Sequence, residues 1–353
     1  MKIFQCNHCD NPVFFENTLC EKCGASLGFH SGAGSLSALS KKKNGWETPA
    51  DHGIPYQYCR NHDHNACNWL VKEGGEQPLC EACRLNGIIP DLGSPENLKA
   101  WQNLELAKHR LVYELLCLGL SIESKASAPE TGLSFNFLSD DSAGSGRNGI
   151  VTGHSRGTIT INIAEAHSAY REKTREKMGE SYRTLIGHFR HEIGHYYWEL
   201  MVRSDSGLLK GFRGLFGDER VDYSETLQRY YDNGPPKDWR ERFLSAYCAA
   251  HPWEDWAETW AHYLHMVDTL ETAHAFGLRL NPRIDTLPNL NMPPDFDPFL
   301  STEFRDIVDD YVSLSLAINS INRSMGQPDL YPFVLSPPAV EKLDFVHRLL
   351  RRQ

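Results

Sequence analysis

The stretch His191-Glu192-Ile193-Gly194-His195 reads H-E-x-x-H, and its residue types are those of metal-assisted hydrolysis. Ile186, Phe189, Ile193, Tyr197 and Leu200 follow helical spacing, which predicts an amphipathic helix through the motif. On a helix, residues four apart share a face, so His191 and His195 can offer two imidazole nitrogens to one ion. Glu192 would project beside them, where a carboxylate can take a proton from metal-activated water. Gly194 is costly in a helix interior, by about 1 kcal/mol relative to Ala. It predicts that a substrate strand or a neighbouring chain segment approaches the backbone there.

Two histidines leave a zinc ion short, because a catalytic site takes three protein ligands and keeps one position open. Downstream, residues 251–265 read H-P-W-E-D-W-A-E-T-W-A-H-Y-L-H. Pro252 suits a first helical turn. Glu254, Glu258 and His262 recur every four residues on one face, and Trp253, Trp256, Ala257, Trp260 and Leu264 cover an adjoining one. This pattern suits a helix that supplies the third ligand. Helical spacing alone leaves open which of Glu254, Glu258 and His262 it is. It also allows a solvated acidic face carrying a Glu–His pair. A fourth ligand such as His262 or His188 would close the site and make the zinc structural.

The chain has 10 cysteines. Cys6, Cys9, Cys20 and Cys23 form C-x2-C-x10-C-x2-C, in which two tight turns each aim two thiolates at one ion. Cys59, Cys67, Cys80 and Cys83 form a looser C-x7-C-x12-C-x2-C, with His62 and His64 inside the first gap as alternative donors. The expectation is a four-thiolate site in each cluster. Zinc is therefore the expected cofactor, one catalytic and two structural. Met1-Lys2-Ile3-Phe4 runs directly into Cys6, so a reducing, cytoplasmic setting is expected, where such patterns hold metal. Cys117 and Cys248 sit in apolar runs and read as buried thiols.

H-E-I-G-H followed by E-D-W-A-E resembles the gluzincin arrangement, most closely metallopeptidases of the anthrax lethal factor type. That resemblance implies Glu254 as third ligand and Glu258 as a support for a ligand imidazole. It also implies Tyr247, seven residues before the ligand Glu, as donor to the oxyanion, with Glu192 as general base. A broader resemblance rests on four stretches besides the N-terminal ribbon. They are Thr152-Gly153-His154, Arg183 to Trp198, Gly217 to Tyr223 (G-D-E-R-V-D-Y) and Glu254 to His265. Together these are similar to bacterial zinc-binding metallopeptidases with an amino-terminal zinc-ribbon domain. The family implies peptide or amide hydrolysis and names no substrate.

The expected architecture is α+β: a mainly helical, zincin-like metallopeptidase domain with a small sheet, preceded by zinc-ribbon modules. The boundaries read as 1–28 for the ribbon, 29–50 for a flexible Gly/Ser-rich linker, 51–93 for the second cysteine module and 94–353 for the peptidase. Ser94 and Pro95 open a helix to about Leu118, striped by Trp101, Leu104, Ala107, Leu111 and Leu115. Leu133–Leu138 and Thr158–Ile163 read as strands, and residues 207–240 are Gly-rich and then charged. Asp218, Glu219 and Asp222 there could form a second acidic site, though a solvated loop is the simpler reading. The net charge is −10, with no basic face beyond Lys41-Lys42-Lys43, which disfavours a nucleic-acid partner. The expected partner is a protein or peptide substrate, and no membrane span is foreseen. Two rival readings stand: a nucleic-acid-associated protease recruited by its ribbons, and a non-catalytic zinc-binding interaction protein.

Overall fold

A computed structural model describes residues 2–139, 150, 152–178, 183–283, 290, 292, 297–299, 301 and 303–352. The fold is α+β, helical with small sheets. Packing divides the chain into two compact units, Met1–Tyr170 and Arg171–Gln353.

In the first unit, β1 (Phe4–Gln5) and β2 (Pro12–Val13) form a hairpin, as do β3 (Leu27–His30) and β4 (Ser35–Ala38). A four-stranded antiparallel sheet follows from β5 (Ser40–Lys42), β6 (Gly45–Glu47), β7 (Tyr56–Tyr58) and β8 (Leu70–Lys72). The flexible linker expected at 29–50 is therefore corrected to strands. In Ser35-Leu36-Ser37-Ala38 the period-two alternation buries Leu36 and Ala38, and that burial outweighs the Gly/Ser composition. The glycines serve the turns, with Gly34 at φ 56° and Gly45 at φ 108°.

Helix α1 (Pro95–Cys117) starts at Ser94, whose hydroxyl accepts from the Asn97 N–H, and its apolar stripe is buried as expected. It packs inside the first unit. The Phe29 and Trp69 rings lie tilted, 4.7 Å between centroids, and the Phe15 ring centroid is 5.3 Å from that of Tyr113 of α1. The boundary expected at residue 94 is thus not a break in packing: the compact unit runs on to Tyr170. The remaining sheet has the order β11–β12–β10–β9, from β9 (Asn86–Ile88), β10 (Ser134–Leu138), β11 (Gly153–Ser155) and β12 (Thr158–Asn162). β10 runs parallel to both β9 and β12, and β11 is antiparallel to β12.

Helix α2 (Ser168–Met178) spans the division between units. The second unit then contains α3 (Leu185–Tyr197), α4 (Ser206–Phe216), α5 (Tyr223–Asn233) and the short α6 (Trp239–Arg242). α7 (Pro252–Ala275), α8 (Phe304–Ser324) and α9 (Pro337–Leu350) complete it. α3 continues into a π-helical turn, Trp198–Val202. α7 is central, packed by α3, α8 and α9. Its Trp256 and Trp260 are fully buried, and Trp260 stacks on Tyr197 at 5.0 Å. Most of the Gly-rich and then charged stretch 207–240 is α4, α5 and α6, and Asp218, Glu219 and Asp222 lie in the loop between α4 and α5. Asp205 caps α4 by accepting from the N–H groups of Gly207 and Leu208, and Phe212 and Phe216 bury one face, so local capping overrides the glycines. No helix among the described residues is long and apolar enough to cross a membrane.

Candidate active site

Each side chain of the H-E-x-x-H region is aimed by a capped helix. Thr184 starts α3, its hydroxyl accepting from the Gly187 N–H. His251 starts α7: Nδ1 accepts from the Trp253 N–H, and Nε2–H donates to the Val221 carbonyl. The two helices touch at Gly194. A Cβ there would lie 3.1 Å from the Ala257 Cα and 3.1 Å from the Trp260 Cβ, so the close neighbour is α7. Trp256 Nε1–H donates to the Gly194 carbonyl at 2.8 Å, which locks the register of α3 on α7.

That register puts ligand atoms of His191, His195 and Glu254 within 4.8 Å of one another. His191 Nε2 lies 3.2 Å from His195 Nε2 and 3.0 Å from Glu254 Oε2. Two nitrogens each about 2.0–2.1 Å from a tetrahedral zinc would stand about 3.4 Å apart, so the donor set fits that ion. On its other side, His191 Nδ1–H donates to Glu258 Oε1 at 2.8 Å, and Ser245 donates to Glu258 Oε2 at 2.7 Å. This relay fixes the ring and turns its Nε2 lone pair toward Glu254 and His195.

Glu192 is buried, and its Oε2 has no hydrogen-bond partner among the described residues. An orphaned carboxylate oxygen beside a ligand cluster is costly unless something polar occupies the space it faces. Burial works against charge on Glu254, yet His195 and His191 hold its carboxyl well below the usual range. Burial likewise opposes Glu258, which the His191 hydrogen bond brings down to about 2. Both are carboxylates at neutral pH.

His262, an alternative ligand from the spacing, is outside the cluster: its Nδ1 lies 2.7 Å from the Tyr331 hydroxyl. Burial lowers its pKa to about 4, so it is a neutral packing group. His188 is also outside, with Nε2 3.4 Å from Arg183. Tyr247 stands near, its ring centroid 6.1 Å from that of His191.

The structure adds Tyr223, to which spacing assigns no role. Its hydroxyl donates to Glu254 Oε1 at 2.8 Å while the residue stays 37% exposed, so it faces both site and solvent. The G-D-E-R-V-D-Y loop holds it there. Glu219 is clamped by Arg213, Asp218 by Arg220, Asp222 caps α5, and Val221 is pinned by His251. The second acidic site considered at Asp218, Glu219 and Asp222 is therefore a set of ion pairs and a cap. The motif itself was the signal: a rigid loop ending in a tyrosine.

In the first unit, Cys6, Cys9, Cys20 and Cys23 gather as one potential metal group, and Cys59, Cys67, Cys80 and Cys83 as another. The first is built by two matched turns, each closed by a residue at positive φ, Asp10 at 60° and Gly24 at 70°. His62 and His64 join neither group: His62 Nδ1–H donates to the Cys67 carbonyl, and His64 lies against Trp101. Cys248 is a buried thiol as expected, whereas Cys117 is exposed because it falls on the last turn of α1.

This is the layout of a zinc-binding metallopeptidase joined to a zinc ribbon, and the comparisons agree. Residues 97–349 match the family described as "Putative zinc-binding metallo-peptidase", and residues 3–94 match a zinc-ribbon domain. The chain belongs to that metallopeptidase family. It is similar to uncharacterized proteins of Mycobacterium bovis and of two strains of Mycobacterium tuberculosis. Each is 39% identical over 350 residues, covering 99% of this chain and 95% of the relative. No solved structure matches it.

Proposed function

We propose that the second unit is a gluzincin-like peptidase that hydrolyses peptide bonds of a protein or peptide substrate. The observation carrying this reading is the convergence of His191, His195 and Glu254 beside the unpartnered Glu192 carboxylate. Zinc held by those three residues would supply Lewis acidity, lowering the pKa of water toward about 7 and polarising the scissile carbonyl.

The protein's own groups do the rest. Glu192, buried and with Oε2 unpartnered among the described residues, takes the proton of the attacking water and passes it to the leaving amine. Glu258, fixed by Ser245, holds His191 in the tautomer that frees Nε2. Burial and the Glu254 carboxylate keep the Tyr223 phenol protonated, well above the ordinary tyrosine range. The single Tyr223 O–H, which donates to Glu254 Oε1, would serve a developing oxyanion by turning from that carboxylate to it. Tyr247, also kept protonated by burial, has its ring centroid 6.1 Å from that of His191.

Metal content follows as three zinc ions per chain, one in this site and one in each cysteine cluster. The test is digestion of a defined peptide library by the full chain, native and stripped by chelator, alongside Glu192→Gln. Cleavage by the native chain alone supports the reading. Equal cleavage by all three, or by none with zinc present, removes it.

A further inference from the structure

The second cysteine cluster has a donor that the cysteine spacing does not include. We propose that His109 of α1 is a direct ligand of the second zinc centre, completing it with Cys67, Cys80 and Cys83 in place of Cys59. His109 Nε2 lies 3.2 Å from Cys67 Sγ, 3.6 Å from Cys83 Sγ and 3.9 Å from Cys80 Sγ. Zinc bonds of about 2.0–2.1 Å to nitrogen and 2.3 Å to sulfur put tetrahedral N and S ligands about 3.6 Å apart. The Cys67 and Cys80 sulfurs are 3.7 Å apart, against about 3.8 Å for two sulfurs on such an ion. Three nitrogen–sulfur edges and one sulfur–sulfur edge thus match a zinc-sized tetrahedron, and all the sulfurs lie within 4.8 Å of one another.

The far side of the ring supports this. Nδ1 is 2.6 Å from the Glu105 backbone carbonyl, which can only accept, so the neutral ring carries its proton there. Nε2 then turns a lone pair onto the sulfurs. Metal-bound histidines recur with the other ring N–H donated to a carbonyl or carboxylate. With no ion between them, the lone pair and the sulfurs would face one another in a fully buried site at a desolvation cost.

Charge favours the imidazole over a fourth thiolate. Four thiolates around Zn²⁺ leave a net charge of −2 in the interior, while three and a neutral ring leave −1, which costs less to bury. Lys108, the buried cation alongside, is already engaged: its ammonium donates to Glu105 Oε1 at 2.8 Å and to Asn86. Cys59 accepts the Cys80 N–H at 3.4 Å, and the assignment leaves it beside the centre without a bond to the metal.

His109 lies in the segment matching the peptidase family, whereas the three cysteines lie in the ribbon segment. One metal ion would therefore cross-link the two family segments within the first compact unit.

The test uses the intact, isotope-labelled chain with ¹¹³Cd in place of zinc, read by ¹H–¹¹³Cd correlation. One cadmium is expected to couple to the ring protons of His109 and the β-protons of Cys67, Cys80 and Cys83. Coupling to the β-protons of all four cysteines, Cys59 included, with none to a His109 ring proton would overturn the assignment. As a second arm, Cys59→Ser should retain the full zinc content of the unchanged chain under a competing chelator. Loss of one equivalent from a Cys59→Ser chain that still folds would count against it.

Discussion

Replacing Gly194 by Ala separates two physical effects of opposite sign. Gly is the poorest ordinary residue in a helix interior, so Ala should stabilise α3 by about 1 kcal/mol if propensity decided. The packing says otherwise. The added methyl would sit 3.1 Å from the Ala257 Cα, 3.1 Å from the Trp260 Cβ and 3.2 Å from the Trp260 Cγ. Comfortable carbon contacts are about 3.5–4.0 Å, so α7 must retreat by roughly half an ångström. Two of those atoms belong to rigid parts of α7 and cannot rotate away. Overpacking of this kind costs about 1–3 kcal/mol, which cancels or exceeds the propensity gain. The same retreat would carry Glu254 away from His191 and His195, and metal sites tolerate about 0.2 Å. Gly194→Ala should therefore give an equal or lower Tm and a clear loss of zinc affinity at the His191 site, with the cysteine sites unaffected. Thermal melts with and without metal, together with chelator competition, provide the measurement. A more stable variant with unchanged zinc affinity would refute the reasoning.

Three further outcomes follow from the same geometry. Glu254→Ala should empty the His191/His195 site, whereas Glu258→Ala, which removes only the partner of Nδ1, should weaken zinc by about 10–100-fold; a metal titration giving the reverse order would exchange their roles. Tyr223→Phe should lower kcat by on the order of 10²-fold, as loss of an oxyanion donor does, and more than Tyr247→Phe; a larger effect at Tyr247 would move the donor to the inner tyrosine. Asp310 on α8 is pushed up to about 6, first by burial and then by Asp306 and Asp309. Its folded pKa exceeds its unfolded one, so its ionisation costs stability as pH rises from about 4 through 6. Asp310→Asn should therefore raise Tm at pH 7.5, with the advantage shrinking toward pH 4, and a gain independent of pH would contradict the assignment.

What the sequence discloses about this chain depends on how local the signal is. H-E-x-x-H and E-D-W-A-E are single helical turns, so their periodicity alone puts His191, His195 and Glu254 on usable faces. The two cysteine clusters are equally local. The strands at 35–47 were hidden because a Gly/Ser composition reads as a linker, while four short residues are enough to alternate in and out of a core. Helices α4 and α5 were hidden for the opposite reason: Gly207, Gly211 and Gly214 weaken the helical signal, and the caps at Asp205 and Asp222 carry it. Tyr223 and His109 are long-range facts. Tyr223 meets a partner 31 residues away, and His109 meets Cys67 across 42 residues. No spacing rule links such positions, and only the packing of α7 and α1 brings them in. Buried Glu105 and Lys108 on α1 escaped for the same reason, because each is acceptable inside only with the other.

The most direct test of the central claim is to run the zinc-loaded full chain on an unstructured polypeptide in H₂¹⁸O and read the fragments by mass spectrometry. If Glu192 activates water at the His191/His195/Glu254 site, each new carboxyl terminus should carry ¹⁸O from solvent. The yield from Glu192→Gln, at equal zinc content, should fall by about 10²–10⁴-fold. Fragments formed equally well by Glu192→Gln, or no fragments from a chain shown to hold zinc at that site, would contradict the account.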